Sequence, residues 1–79
     1  MWIRSQDGTI LIDCDSFAVE DHSGKYEVIT LSGKSGISIS LGTYSTKEKA
    51  LAVLDDIQEW YECSYNETFQ MPADEDVEV

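Results

Sequence analysis

Basic residues are scarce in this chain, and so are histidine, cysteine and proline. Five lysines and arginines stand against sixteen aspartates and glutamates in 79 residues, a formal net charge of −11. The bases are Arg4, Lys25, Lys34, Lys47 and Lys49, and none follows Lys49, whereas nine acids do. Such a surface repels phosphate backbones and anionic lipid, which argues against direct nucleic-acid binding and against membrane association. It favours a basic partner, bound with a rate and affinity that fall as salt rises.

The other shortages exclude further classes. His22 is the one histidine, so neither a histidine metal cluster nor a histidine-oriented triad can form within one chain. Cys14 and Cys63 are too few for a disulfide framework. No apolar run approaches the roughly 18–20 residues that span a bilayer, and Met1-Trp2-Ile3-Arg4 is followed by no signal-peptide core. The expected location is cytoplasmic, with both cysteines reduced and the Asn66-Glu67-Thr68 sequon unmodified.

What remains is an ordinary globular composition, 42% apolar and 10% aromatic. A chain this short buries only about 60% of its unfolded surface and is correspondingly marginal, so a homo-oligomer is one route to more burial.

The first forty residues read as strands between turn signals. Residues 1–6 are extended, Asp7-Gly8 signals a two-residue hairpin turn, and residues 9–13 return through Ile10-Leu11-Ile12. Residues 16–20 extend that strand or restart it after a bend at Asp13-Cys14-Asp15. Asp21-His22-Ser23-Gly24-Lys25 turns, residues 26–31 are β-rich, and Ser32-Gly33-Lys34-Ser35-Gly36 turns again. Ile37-Ser38-Ile39-Ser40-Leu41 alternates with period two, one face buried and one wet.

The period changes at Ser45. Ser45-Thr46-Lys47-Glu48 fits a capping box, in which the serine oxygen accepts from the backbone three residues on and the glutamate reaches back. Behind it Ala50, Val53, Leu54, Ile57, Trp60 and Tyr61 form one apolar stripe, with Glu48, Asp55, Glu59 and Glu62 opposite. A helix over residues 46–62 follows. Phe69-Gln70-Met71 is then a short edge strand ended by Pro72, which cannot donate to a ladder. The sum predicts a small α+β domain over residues 1–72, with an acidic mobile tail at 73–79. Its architecture is an antiparallel meander, one amphipathic helix packed on it, and a short C-terminal strand.

No pattern carries catalytic chemistry. Gly33-Lys34-Ser35-Gly36 has the composition of a phosphate loop but lacks the upstream glycine and joins two strands, so it reads as a turn. Asp13 and Asp15 flank Cys14 and share a strand face. They could contribute to a Mg²⁺ or Ca²⁺ site, but further oxygen ligands at EF-hand spacing are missing, and two solvated acids is the plainer reading. Asp74-Glu75-Asp76 reads as a solubilising tail. No charged neighbour marks Cys63 as reactive. No catalytic residue, metal or cofactor is assigned.

Aromatic and acidic residues supply the binding candidates. Trp2, Trp60, Tyr61 and Tyr65 are the aromatics a binding surface would use; Trp60 and Tyr61 lie on the stripe that the helix must bury and are expected in the core, while Trp2, on a terminal strand, is available to a partner. The acidic helix face suggests mimicry of nucleic acid. Glu48 to Glu62 spans about 21 Å at 1.5 Å per residue, whereas duplex DNA carries a charge every 1.7 Å or so. Four same-face acids are too sparse alone, and Asp56 and the tail acids narrow the deficit.

Three segments, Ser5-Gln6-Asp7-Gly8, Gly42-Thr43-Tyr44-Ser45-Thr46-Lys47-Glu48-Lys49-Ala50 and Phe69-Gln70-Met71-Pro72, resemble small proteins of no established activity encoded by Gram-positive bacteria and their phages. The resemblance covers both ends and the helix and implies a mobile-element setting, with no catalytic or binding residues to carry over. By analogy, the expected function is a non-catalytic inhibitor of a basic host protein, of anti-defence or anti-CRISPR type. Its contact residues would be Trp2, Glu48, Asp55, Asp56, Glu59 and Glu62. The alternative is an oligomer enclosing a nucleotide-like small ligand, held by Arg4, Ser5, Gln6, Asp7 and Lys34.

Overall fold

Turn chemistry sets out the strands. A computed structural model describes residues 1–32 and 36–79. β1 (Trp2–Arg4) and β2 (Leu11–Asp13) pair antiparallel, Trp2 opposite Asp13 and Arg4 opposite Leu11. The turn between them includes Asp7-Gly8, as the sequence predicts, but it is wider than two residues. The Ser5 N–H donates to the Ile10 carbonyl at 2.8 Å, and residues between them form the loop.

The chain restarts after residues 14–16 as β3 (Phe17–His22), which pairs with β4 (Lys25–Ser32), and β4 with β5 (Ile37–Tyr44), all antiparallel. Ser23 and Gly24, at φ 56° and 87°, make the β3–β4 turn. Left-handed backbone at both central positions matches the twist of a tight hairpin, and Gly24 adopts it without a Cβ clash. The turn is thus shorter than the five-residue polar cluster predicts. Gly33, Lys34 and Ser35, predicted as the next turn, lie outside the described residues.

A register shift opposite Val28 and Ile29 leaves Leu41 as an extra residue in β5. Its carbonyl accepts the Gln6 N–H at 2.8 Å, fastening the first hairpin to the meander. At Gly42 a Cβ would sit 3.2 Å from the Gln6 Cβ and 3.1 Å from the Tyr44 hydroxyl, so a larger residue there needs both neighbours to give way by a few tenths of an ångström.

α1 (Lys47–Cys63) fits the predicted helix to within a residue at each end. Its cap differs. Thr46, not Ser45, is the N-cap and accepts the Lys49 N–H at 3.2 Å. The capping box does not close, because Glu48 is then one position short of the third helical residue. Ser45 is instead turned to Asp74, whose carboxylate accepts its N–H at 2.9 Å and its hydroxyl at 3.2 Å.

Ala50, Val53 and Ile57 form the buried stripe of α1, packed with Val28, Leu41 and Tyr44 of the meander. Trp60 is half-buried, its ring edge-on to Phe69 at 5.5 Å and its indole N–H donated to the Glu67 carbonyl at 3.0 Å. Tyr61 corrects the sequence reading: it is 48% exposed, because the stripe centres on Ala50, Val53 and Ile57 and leaves Tyr61 on the helix flank.

β6 (Phe69–Gln70) is the predicted short strand, parallel to β1 with Phe69 opposite Ile3. The strands therefore form two three-stranded sheets, β2-β1-β6 and β3-β4-β5, in an α+β fold. Of the mobile tail predicted at 73–79, residues 74–77 make contacts with the rest of the fold, while Glu78 and Val79 are exposed. Residues Asp74–Asp76 make a 3-10 turn, Val77 joins the core, and Lys49 Nζ donates to the Asp74 carbonyl at 2.9 Å. Among the described residues no helix is long and apolar enough to cross a membrane.

Candidate interaction surface

Helical spacing alone distributes the acids of α1. Glu48, Asp55, Asp56, Glu59 and Glu62 are all exposed, and none of the five has a basic partner within ion-pair distance among the described residues. Asp56 and Glu59 border a shallow hollow of about 410 Å³ with Trp60, Cys63 and Phe69. Asp55, Glu59 and Glu62, four and three residues apart, share the outward face of the helix with Glu48.

Trp2 is 48% exposed on β1, and strand alternation puts it on the outer sheet face with Arg4 and with Leu11 of β2, itself 51% exposed. The acids of α1 and Trp2 thus belong to different elements, the helix and the outer face of the small sheet.

The polar loop proposed for a small ligand serves the fold. Ser5 is buried, accepts the Ile10 N–H and donates to Asp7 at 2.8 Å. Gln6 donates to the Thr43 and Pro72 carbonyls and accepts the Thr43 N–H. Asp7 accepts the Thr9 N–H and hydroxyl as well as the Ser5 hydroxyl, and these bonds, the Thr9 backbone first, hold its carboxyl below the usual range. Arg4 is exposed and caps the loop at the Gly8 carbonyl. Lys34, the remaining candidate, lies outside the described residues. A hollow of about 190 Å³ beside this loop is bordered by groups already bonded to one another.

Asp13 and Asp15 do converge, on the chain's own ammonium. Met1 N donates to Asp13 at 2.8 Å and to Asp15 at 3.1 Å. Burial opposes the charge, but hydrogen bonds to Asp13, Asp15 and Tyr65 outweigh it and push the ammonium up to about 11. The signal was available in the hairpin: a register with Trp2 opposite Asp13 brings residue 14 beside Met1, and Cys14 N donates to the Met1 carbonyl at 2.9 Å. Among the described residues no three histidine, cysteine or acidic side chains group closely enough to hold a metal.

The remaining candidates are dispersed. His22 Nε2 lies 3.7 Å from both Glu20 and Glu27 on the outer face of the meander. Cys14 is half-buried, and that burial pushes its thiol up, while Cys63 is exposed. Tyr61 and Tyr65, which the sequence also offers as binding aromatics, stand edge-on at 5.0 Å at the end of α1, and both are exposed. Compared with protein-family models, with curated proteins and with solved structures, the chain matches none.

Proposed function

We propose that the chain is a non-catalytic interaction protein that binds a basic host protein and inhibits it, as an anti-defence or anti-CRISPR-like inhibitor does. One observation carries the reading: a net charge of −11 accompanied by five exposed helix acids that no base neutralises among the described residues. Charge of one sign at that density steers encounter with a positive surface and opposes wrong partners. The phage or mobile-element setting is what the three short motifs imply. The small-ligand alternative has less support, since Ser5 and Gln6 direct their polar groups into the fold.

The test is capture from host lysate at low and at high salt, by the native chain and by a variant carrying Asp55→Asn, Glu59→Gln and Glu62→Gln. A protein with a basic groove should be retained at low salt, released at high salt, and held less well by the variant. Adding the chain should then reduce that protein's activity. Partners without basic surface, or capture indifferent to salt, would sink the reading.

A further inference from the structure

β3 lies at the rim of its sheet, paired on one side only. From the tight turn the ladder alternates, so that His22 with Lys25, Glu20 with Glu27 and Ala18 with Ile29 exchange backbone bonds. Phe17, Val19 and Asp21 therefore direct their N–H and C=O groups away from β4, and no other described residue bonds them. Their side chains share the face on which α1 packs, where Phe17 and Val19 are half-buried.

Beside this rim is a hollow of about 300 Å³, walled by Asp15, Phe17, Leu54, Ile57, Gln58 and Tyr61. That is the small end of the range for ligand sites, suited to a single side chain. Exposed acids lie on both faces of this rim: Asp21 shares the helix-side face, with Asp55 and Glu62 on the adjoining helix, and Glu20 is on the opposite face, while Asp15 in the wall holds the Met1 ammonium. An open ladder, an apolar slot in phase with it and negative charge on either side are the three elements of recognition by strand addition.

We propose that β3 is the docking edge for an extended, lysine- or arginine-bearing segment of the partner. The segment adds as a fourth strand, seats one apolar side chain against Phe17, Leu54 and Tyr61, and turns the alternate, basic side chains to the other face, against Glu20 and the neighbouring Glu27. The inference rests on the interaction reading above and gives it a location and a partner chemistry. A second copy of this chain fits poorly, because each copy carries −11 and brings its own Glu20 and Asp21 to the same rim.

The probes are two short peptides of identical charge, one alternating lysine with valine, the other interrupted by proline so that it cannot continue a ladder. The alternating peptide should bind with a dissociation constant below about 1 mM. It should shift the backbone amide resonances of Phe17, Val19 and Asp21 and protect them from exchange, with the interrupted peptide at least tenfold weaker. Tyr61→Ala, which also removes the edge-on contact with Tyr65, should weaken binding about tenfold while the chain remains folded by its amide spectrum. Equal binding of both peptides, with shifts spread along the acids of α1, would overturn the strand-addition site and leave the interaction reading standing. Binding of neither peptide, or a dimer of the chain that occupies the same edge, would also overturn the site. The interaction reading would then be decided by the salt-dependent capture.

Discussion

Met1 is held twice, its side chain in the core and its ammonium between Asp13 and Asp15. The folded ammonium titrates at about 11 against an ordinary value of 8.0. Its contribution to stability is therefore complete below about pH 8 and is lost as pH rises toward 11. Acetylating the amine should lower the melting temperature at pH 7, and the gap between acetylated and free protein should close across that window. A gap independent of pH would mean that the two carboxylates do not sense the charge. On the acid side the sign reverses. Hydrogen bonds, from the Thr9 backbone to Asp7 and the Ser45 backbone to Asp74, hold both carboxyls below their ordinary 3.8. Stability from this pair is present above about pH 4 and lost as pH falls through the folded values, so Asp74→Asn should flatten the acid limb of the melting curve. Neither contact was legible from composition. Asp13 and Asp15 read as solvated because their partner is the Met1 ammonium, and Asp74 as tail because its partners, Lys49 and Ser45, lie 25 and 29 residues away.

α1 was legible because its evidence is local: a 3.6-residue stripe and a capping residue within one turn. The boundary slipped by one because Ser45 and Thr46 are both competent caps, and Asp74, remote in sequence, decides between them by engaging Ser45. Thr46→Ala should cost about 1 kcal/mol in denaturant unfolding, and Ser45→Ala less, since the Ser45 backbone bond to Asp74 survives the change. Ile57→Ala, at a position 2% exposed, removes packing at the centre of the stripe and should cost about 2–5 kcal/mol, enough to unfold much of so small a domain. The sheets were less legible. Alternation in residues 37–41 marks β5, but nothing in two residues, Phe69-Gln70, announces a parallel pairing with β1. Tyr61 was misplaced because the stripe rule assumes a partner surface as wide as the helix face. The sheet ends at β3, and among the described residues no further strand beyond that rim covers the ring.

At the scale of the molecule, excess negative charge acts against compactness as well as toward partners. Added salt shortens the Debye length from about 30 Å at 0.01 M to about 8 Å at 0.15 M. The melting temperature should therefore rise with sodium chloride over that interval, even as affinity for a basic partner falls. A melting temperature that drops instead would show that the ion pairs at Met1 and Lys49 outweigh the repulsion among unpaired acids.

The parallel pairing of β1 with β6 gives the fold a mechanical property. β1 opens the chain and β6 lies close to its other end, and the two run in the same direction. Tension applied through the two termini pulls these strands past each other lengthwise. The bonds that join them, including Met71 N to the Arg4 carbonyl at 3.0 Å, are then strained together in shear and do not peel apart in turn. Stretching between a point before β1 and a point after β6 should therefore meet more resistance than the modest core suggests.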